Sequence, residues 1–521
     1  MSLDTPRMAW EPGDDLGSIV ARYARAMPDR VALVHGDTRL TWAALDERAD
    51  RLAAALAADN FRKGDRLAIL GENSIKYAEV FFGALRAGGC VVPLPTMAST
   101  DSLARMLVDS GSSALFASGA YRDAAHSIAT TPLSRLALRV GLDFHDDAFR
   151  GYRAFTGAVT GPAPHVAIGA DDAFDIIYSS GTTGIPKGIV HSHGARKASY
   201  GGGRAAFFDE VSVNVIATPF YSNTTSVTWF ITTARGGTNV LLGKFTPEAF
   251  LEAVERHKVT HAMLVPVQYD RILQSPRFAA ADHASLRMLF STSAPLAADT
   301  KRRILDETQA DLIEIYGLTE GGPVTILDAR KNPTKLASVG RPAPGHDVRV
   351  VDDAGHDLPA GQAGEVIGRS PNMMSGYLNR PDETQAMLFR DAGGALFFRT
   401  GDLGRFDDEG FLYLLDRKKD VIISGGFNIY ATDLESVLAK HPDVLDVTVI
   451  GIPSERWGET PIALVVRKAG SAVTEAELRE FCNARVGKAQ RLAAVEIREV
   501  LPRNAIGKVL KRELRDPYWK K

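Results

Sequence analysis

The sequence is poor in features that mark several protein classes. Only two of its 521 residues are cysteines, Cys90 and Cys482, which excludes a disulfide framework or a thiolate metal cluster. One bridge between them stays open, although two reduced thiols are the simpler interpretation. The sequence also lacks an excess of charge of either sign. It has 61 Lys and Arg residues and 63 Asp and Glu residues, which gives a formal net charge of −2. This balance gives no electrostatic reason to expect a nucleic acid or an anionic membrane as partner.

Long apolar runs are absent too. The longest stretch without a charged residue, 211–234, has eleven Ser, Thr or Asn residues among its 24 and is interrupted by Pro219. It therefore does not reach the hydropathy of a transmembrane helix. Residues 1–15 lack the basic and apolar segments of a secretory signal. We expect a soluble, cytoplasmic protein.

Short apolar runs alternate with amphipathic stretches through the first two-thirds of the chain. This pattern predicts strands at 65–71, 90–94, 240–242 and 261–265, and helices at 74–87 and 247–258. The βαβ order indicates mostly parallel sheets covered by helices. After about Ser338 shorter strands and turns follow, with strands predicted at 348–353, 364–368 and 411–415.

A polar run from Arg417 to Asp420 precedes a separate α+β pattern. Helices are predicted at 432–440 and 475–485, and strands at 447–450 and 462–467. We place a domain boundary at the polar run. The expected fold class is α/β, with a large N-terminal domain (1–416) of βαβ sheets plus a β-rich subdomain, and a small α+β C-terminal domain (417–521).

The strongest local motif runs from Ile176 to Gly188, where an apolar strand enters a loop with hydroxyls, glycines and Lys187. Glycines let backbone N–H groups approach an anion, hydroxyls add donors and the ammonium adds charge, so the loop suits a polyphosphate. Its spacing differs from that of the P-loop. Taken alone, a solvated turn is an equally good interpretation.

Three further segments carry suitable chemistry. Residues 315–320 combine Tyr316, a glycine, a hydroxyl and Glu320, the groups needed to stack a base, bond a phosphate and hold Mg²⁺. Asp402 follows a turn and could accept from both ribose hydroxyls, and Lys508 stands on a glycine-containing turn. Each has a simpler interpretation when taken alone: a strand-end turn with a surface carboxylate, a β-turn Asp, or a solvated lysine.

Taken in order, these segments resemble the adenylate-forming superfamily of acyl-CoA synthetases, peptide-synthetase adenylation domains and beetle luciferases, and are most similar to bacterial acyl-CoA ligases. The similarity extends from Leu40–Leu45 and Arg86–Leu94 to Lys508. It implies that a carboxylate attacks the α-phosphate of MgATP to give an acyl-adenylate and pyrophosphate. A thiol, usually of coenzyme A, then takes the acyl group and releases AMP.

The resemblance also assigns roles. Thr182, Thr183 and Lys187 would grip the β- and γ-phosphates, Tyr316 would stack on adenine, Asp402 and Arg417 would bind the ribose, and Lys508 would bridge the substrate carboxylate and the α-phosphate. The catalytic set is Thr319, which bonds the α-phosphate, Glu320, which holds Mg²⁺, and Lys508. The full ATP- and AMP-binding set is Ser179, Thr182, Thr183, Lys187, Ser293, Ala294, Pro295, Tyr316, Gly317, Thr319, Asp402 and Arg417.

Further expectations concern the C-terminal domain. The resemblance implies that this domain is mobile and rotates between the half-reactions about a hinge at Lys419, and that Ser424, Gly425 and Gly426 then line the CoA tunnel. Similar tails in bacterial relatives are lysine-acylated, which implies a lysine acetyltransferase acting on Lys508 as a partner. A homodimer is an expectation that the sequence leaves undecided.

The sequence departs from the family pattern at three positions: Ser222 replaces a usual His, Thr225 replaces the Gly of the same motif, and Thr292 replaces a frequent Gly. The expected acyl pocket consists of Tyr221, Thr225, Trp229, Val265, Thr292, Gly317 and Val324. Because these segments contain no Lys or Arg, a dicarboxylate is disfavoured. The pocket also lacks the Asp that would pair with an amino acid's ammonium group. An aryl or an aliphatic monocarboxylate remains.

The leading interpretation is an acyl-CoA ligase that uses free CoA. A stand-alone adenylation enzyme that loads a carrier protein is one alternative. A non-catalytic nucleotide-binding homologue is another, although Glu320, Asp402, Arg417 and Lys508 are all present. Nothing in the sequence supports a luciferase-like oxygenase.

Overall fold

The computed structural model describes residue 11 and residues 13–179, 186–503 and 507–519. The chain divides into two compact units. The first consists of Met1–Val348 with Gly368–Phe398, and the second of Arg349–Ile367 with Arg399–Lys521.

The first unit begins with alternating helices and strands. Up to the phosphate loop these are α1 (Leu16–Ala26), β1 (Val31–His35), β2 (Thr38–Thr41), α2 (Trp42–Ala58), β3 (Arg66–Leu70), α3 (Ile75–Arg86), β4 (Cys90–Pro93), α4 (Thr100–Ser110), β5 (Ala114–Ala117), α5 (Arg122–Ala129), β6 (Leu138–Gly141), β7 (Arg150–Gly151), α6 (Tyr152–Gly157) and β8 (Ala173–Ser179). Beyond it follow β9 (Lys187–Ser192), α7 (His193–Gly201), β10 (Val213–Ile216), α8 (Asn223–Ala234), β11 (Thr238–Leu241), α9 (Pro247–His257), β12 (His261–Leu264), α10 (Pro266–Gln274), β13 (Met288–Ser291), α11 (Ala298–Glu307), β14 (Asp311–Gly317), β15 (Val324–Asp328) and β16 (Arg341–Pro342).

Shorter strands and the C-terminal elements follow. They are β17 (Asp347–Val351), β18 (Gly364–Arg369), β19 (Gly376–Tyr377), α12 (Pro381–Ala386), β20 (Leu388–Arg390), β21 (Leu396–Phe406), β22 (Leu412–Arg417), β23 (Ile422–Ser424), β24 (Phe427–Ile429), α13 (Ala431–Leu438), β25 (Val444–Ser454), β26 (Gly458–Arg467), α14 (Glu475–Asn483), β27 (Ala494–Ile497) and α15 (Lys511–Trp519).

Two large sheets organise the first unit. Over the described residues, one has the strand order β16-β15-β14-β13-β12-β10-β11-β1-β2 and the other β19-β9-β8-β4-β3-β5-β6-β7. In the first sheet β10, β11, β12, β13 and β14 are parallel neighbours. Their segments are short and apolar and alternate with helices, which is the pattern of a parallel sheet buried on both faces. The predicted βαβ architecture is confirmed.

Local sequence signals set the limits of the helices. The Thr246 side chain accepts a hydrogen bond from the backbone N–H of Ala249, and Pro247 occupies the first turn of α9. Both features favour a helix start. The helix ends where Lys258 takes a left-handed conformation with φ of 49°, which stops the helical hydrogen bonding. The predicted helix at 247–258 is therefore confirmed to within one residue.

A cluster of aromatic rings packs α3 of one large sheet against α8 of the other. The ring centroid of Trp229 lies 4.9 Å from that of Phe81, 5.6 Å from that of Phe82 and 4.1 Å from that of Phe220. Trp229 is 1% exposed. This core holds the two sheets of the first unit together and so sets the position of their strand ends.

The second unit contains a mostly antiparallel sheet with the order β24-β23-β26-β25 and β27 beside β26. Apolar residues of α13, α14 and these strands form its core, including Leu434, Leu438, Val449, Ala463 and Leu478. A third sheet, of β17, β18, β21, β20 and β22, contains strands with residues of both units. The first part of β21 pairs with β20 and the last part with β22.

The predicted α/β class, with a large N-terminal domain and a smaller C-terminal one, is confirmed. Two strands extend well beyond their predicted ranges: β25 covers Val444–Ser454 and β26 covers Gly458–Arg467, because they pair with each other along almost their whole length. The compact second unit also includes residues 349–367 and 399–416. The predicted boundary between residues 416 and 417 marks where the mobile C-terminal domain is expected to begin. It stays a prediction. Within the described ranges, every helix is too short or too polar to cross a membrane.

Candidate active site

The carboxyl ends of parallel strands gather most of the predicted site residues of the first unit. Ser291 at the end of β13 pairs with Leu264 on one side and Glu314 on the other. Tyr316 and Gly317 end β14, and the segments that leave these strands carry Val265, Thr292–Pro295 and Leu318–Glu320. Since parallel strands deliver their carboxyl ends to one edge, these segments lie together where α/β folds bind ligands.

The predicted phosphate loop connects the two strands of a hairpin. Ser179 ends β8, Lys187 begins β9, and the two residues pair directly. Thr182 and Thr183 lie outside the described residues. The Lys187 ammonium forms an ion pair with Glu383 and lies 5.2 Å from the ring centroid of Tyr377.

The backbone after β14 is held by several hydrogen bonds. His191 Nε2 lies 2.7 Å from the carbonyl oxygen of Thr319, and the backbone N–H of Met374 donates to the carbonyl of Glu320 at 2.9 Å. The Tyr377 hydroxyl donates to Glu320 Oε1 at 2.8 Å. Burial and the nearby Glu320 carboxylate raise the pKa of Tyr377, so its hydroxyl stays a donor.

The Glu320 carboxylate fits the predicted magnesium role. Mg²⁺ in phosphate-transfer sites is bound through one or two carboxylates, substrate phosphates and water. Among the described residues there is no cluster of three or more His, Cys, Asp or Glu side chains that could hold a metal. Glu320, shortly after β14, can supply one such carboxylate.

The loop after β13 is positioned from both sides. Ser293 has a left-handed φ of 78°, a conformation that costs energy for a residue with a side chain. Its hydroxyl lies 2.6 Å from that of Thr224. The backbone N–H of Leu296 donates to Glu314 Oε1 at 2.7 Å, and Glu314 pairs with the buried Lys301. These bonds fix the predicted nucleotide residues Ser293, Ala294 and Pro295 between α8 and β14.

Two of the departures from the family pattern, Ser222 and Thr292, have local structural roles. The Ser222 side chain accepts a hydrogen bond from the backbone N–H of Thr224 and caps α8. The Thr292 hydroxyl donates to the carbonyl of Ile315 at 2.8 Å, so this polar group faces the neighbouring strand.

The predicted acyl-pocket residues differ in their surroundings. Tyr221, Thr225, Val265 and Val324 are buried. Trp229 belongs to the aromatic core between α3 and α8. The Thr225 hydroxyl lies 2.6 Å from the Pro219 carbonyl oxygen. A Cβ placed on Gly317 would lie 3.4 Å from the Pro323 carbonyl oxygen. The pocket assignment stays a prediction.

In the second unit the two predicted ribose ligands are neighbours. Asp402 on β21 pairs across the strands with Arg417 on β22, and Arg417 Nε lies 3.1 Å from Asp402 Oδ1. The backbone N–H of Asp402 donates to the Thr400 hydroxyl at 2.9 Å. Lys419, the predicted hinge, is exposed in the turn that follows β22.

The predicted CoA-tunnel residues form a tight hairpin. Gly425 and Gly426 have positive φ values of 58° and 82°. A Cβ on Gly425 would lie 2.8 Å from the ring of Trp457, so only glycine fits there without a shift. Trp457 and Phe427 are exposed in the unit as described. The backbone of Gly425 and Gly426, which has no side chains, therefore lies beside the exposed rings of Phe427 and Trp457.

Lys508 lies on a turn closed by a bridge between Arg503 and Val509. Arg503 is fixed by an ion pair to Asp446 at 2.6 Å. Burial and the positive charge of Arg417 lower the pKa of Lys508 to about 8. The charges of Asp402, Lys419 and Asp420 also act on the Lys508 ammonium. The predicted catalytic lysine and ribose ligands therefore share one electrostatic environment within the second unit.

Sequence reasoning missed several residues that contact the predicted site residues Thr319, Glu320 and Lys187. They are His191, Tyr377, Glu383 and Met374. One signal was available. Asp175 and His191 interrupt two apolar strands and stand opposite each other across the hairpin. Paired polar residues on a buried face indicate a hydrogen-bonded network.

The chain matches known families over most of its length. The AMP-binding enzyme family matches residues 20–378, and the AMP-binding enzyme C-terminal domain matches residues 433–508. Feruloyl-CoA synthase of an Amycolatopsis species is 36% identical over 505 residues, which covers 96% of this chain and 98% of the relative. A long-chain-fatty-acid–CoA ligase of Mycobacterium tuberculosis is 32% identical over 515 residues, with 97% and 98% covered. ATP-bound MatB from Rhodopseudomonas palustris matches in structure with a TM-score of 0.86 and 31% identity, with 97% and 99% covered.

Proposed function

The chain belongs to the AMP-binding enzyme family, and on that premise we propose that it is an ATP-dependent acyl-CoA ligase. It activates an aryl or aliphatic monocarboxylic acid as an acyl-adenylate with release of pyrophosphate. CoA then takes the acyl group and AMP leaves. The observation that carries the proposal is the meeting of Thr292–Pro295 and Tyr316–Glu320 at the carboxyl edge of one sheet.

The chemistry needs positioning and charge neutralisation more than covalent catalysis. Ser179 and Lys187, with Thr182 and Thr183, contact the phosphates, while Thr319 bonds the α-phosphate. Tyr316, Gly317 and the Ser293–Pro295 segment hold adenine. Asp402 and Arg417 bind the ribose hydroxyls, and their direct pairing across β21 and β22 supports a shared role.

Glu320 holds Mg²⁺ in this proposal, with Tyr377 orienting its carboxylate. When bound, the ion neutralises charge on the phosphates. Lys508 screens the repulsion between the substrate carboxylate and the α-phosphate, both of which are anionic.

The proposed motion follows from where these groups lie in the sequence. Lys508 belongs to the second unit, whereas Thr319 and Glu320 belong to the first. We propose that the domain from residue 417 onward is mobile about Lys419, and that Ser424, Gly425 and Gly426 line the path of the CoA thiol. A Cβ placed on Gly426 would meet nothing within 4 Å, so the open space beside this glycine supports the proposed path.

The proposed substrate class is an acid with one carboxylate. The predicted acyl-pocket residues carry apolar groups and hydroxyls and no cationic side chain, and a second buried carboxylate without a partner is costly. One relative is named for an aryl acid and another for long-chain fatty acids, so the similarity supports both classes. We further propose a cytoplasmic location, where ATP and CoA are available, and acetylation of Lys508. A homodimer remains a prediction.

The experiment is to measure pyrophosphate and AMP release with MgATP over a panel of aliphatic, aryl and dicarboxylic acids, with and without CoA. Acid-dependent release that rises strongly with CoA is expected. Acid-dependent release that CoA does not stimulate would favour carrier loading. ATP binding with no release for any acid would contradict the proposal and favour a non-catalytic homologue.

A further inference from the structure

A buried charged network lies beneath the predicted nucleotide site of the first unit. Asp175 on β8, His191 on β9 and Arg196 on α7 are 1%, 2% and 4% exposed. Arg196 Nη2 lies 2.6 Å from Asp175 Oδ2, and Arg196 Nε lies 3.2 Å from Oδ1. His191 Nδ1 lies 2.9 Å from the same Oδ1. Two ionisable side chains, His191 and Arg196, thus share the buried carboxylate of Asp175.

Two cationic groups face one carboxylate in this network. Burial acts to raise the pKa of Asp175, but the positive charges of Arg196 and His191 outweigh it and hold that pKa below its ordinary value. Taking such groups out of water is costly, and well-packed apolar residues at such positions are often equally or more stabilising. Stability alone therefore does not account for the network.

The outer ends of the network reach two segments of the site. His191 Nε2 lies 2.7 Å from the carbonyl oxygen of Thr319. A carbonyl only accepts, so Nε2 carries the proton and donates. Arg196 Nη1 donates to Asn223 Oδ1 at 2.7 Å, at the start of α8. One buried carboxylate thereby orients donors toward the nucleotide segment and toward the acyl-pocket helix.

The Thr319 segment needs such support. Gly321 and Gly322 follow it with positive φ values of 77° and 87°, and glycines do not restrict their own backbone conformation. Glu320 is held from the other side by Met374 and Tyr377. His191 supplies the matching contact to Thr319.

We infer that His191, oriented by Asp175 and Arg196, is a positioning residue that sets the place of Thr319 for the adenylation step. The inference rests on the proposed function, because Thr319 is assigned there to the α-phosphate. It concerns residues to which the predicted site assigns no role. Displacing a transition-state contact by about 1 Å costs on the order of a hundredfold in rate.

Three substitutions separate the two bonds of His191. In His191→Gln the amide nitrogen can take the place of Nε2 and still donate to Thr319. In His191→Asn the shorter amide can take only the place of Nδ1, near Asp175. In His191→Leu neither bond is kept. We expect the kcat of acid-dependent ATP–pyrophosphate exchange to fall about 10- to 100-fold in the Leu and Asn variants, and within about threefold in the Gln variant. The KM for the acid should change much less.

His261→Leu is the matched control. His261 is also buried, and its Nε2 lies 2.9 Å from a backbone carbonyl oxygen, that of Phe207. It stands at the amino end of β12, away from the strand edge that carries the site. Both variants remove a buried imidazole and its contact with a backbone carbonyl, and His191→Leu also removes a contact with Asp175. Both should lower the melting temperature, whereas His261→Leu should keep a kcat of exchange close to wild type.

Equal kcat values for the Gln and Asn variants would overturn the inference, as would a loss in His261→Leu as large as that in His191→Leu. A wild-type protein without exchange for any acid would instead contradict the proposed function. In that case the affinity for ATP, measured by calorimetry, tests whether His191 is a positioning residue. Weaker binding in the Leu and Asn variants but not in the Gln variant would support its role, and equal binding in all three would contradict it.

Discussion

The two units hold the residues that are predicted to bind the nucleotide in different ways. In the first unit Thr319 and Glu320 follow a buried parallel strand and are fixed by hydrogen bonds from His191, Met374 and Tyr377. In the second unit Arg417 and Lys508 are only part-buried, and their charges act on one another. Hydrogen bonds therefore set the geometry in the first unit, while charge and protonation matter more in the second.

The largest effect on the rate of adenylation should come from removing the Lys508 ammonium in the second unit. Lys508→Ala is expected to lower the kcat of ATP–pyrophosphate exchange about 100- to 1,000-fold, because no cation then separates two anionic reactants. The melting temperature should stay nearly unchanged, since Lys508 lies on a turn. Lys468→Ala, at another exposed lysine of this unit, is the control. An exchange rate in Lys508→Ala close to that of the control would contradict the assigned role.

The next effect tests movement of the second unit. Lys419→Pro is expected to slow CoA-dependent thioester formation about tenfold or more while sparing pyrophosphate exchange, because proline restricts the backbone of the turn. Single-turnover assays of the two half-reactions measure this difference. Lys419→Ala removes the same side chain without restricting the backbone and should behave like the wild type. Unchanged CoA-dependent turnover in Lys419→Pro would remove the hinge from the proposal.

The pH dependence of adenylation sharpens the contrast between the units. Burial and Arg417 lower the pKa of Lys508 to about 8. The charged ammonium is the active form, so the exchange rate should be level below about pH 8 and fall about tenfold per unit above it. Lys508→Arg keeps its charge throughout this range, so its profile should lack the fall. The same decline in both proteins would show that another group titrates.

The smallest effect is expected in the first unit. Glu383 pairs with Lys187, so phosphates must compete with a carboxylate for this ammonium. Glu383→Gln should therefore lower the KM for ATP about two- to threefold, as an exposed ion pair contributes little. Glu252→Gln makes the same charge change at an exposed position of α9 and should leave the KM unchanged. An equal decrease in both variants would point to net charge instead of the specific pair.

Much of the fold was predictable because its signals are local. Apolar runs, Ser and Thr caps and the order of strands and helices indicate the parallel sheets and most element limits. The strand at 447–450 was predicted too short, because much of β25 is not buried and gives no apolar signal. Its length depends on pairing with β26, which is not visible within the segment itself.

The candidate site divides in the same way. Tyr316, Thr319, Glu320 and Lys508 stand out because their residue types have chemical meaning in a short motif. The groups that orient them do not. Asp175 and Arg196 are 21 positions apart. Thr319, the partner of His191, and Asn223, the partner of Arg196, are brought near only by the packing of the two sheets. Such contacts become visible only in the folded chain.

The buried network around Asp175 also bears on how this sequence can change over time. Replacing any one of Asp175, His191 and Arg196 by an apolar residue breaks a buried pairing, and uncompensated buried charge is strongly destabilising. The effects of changes at the three positions should therefore be far from additive. A descendant with an apolar core here would have to replace the set nearly together, so these positions should be inherited as one unit.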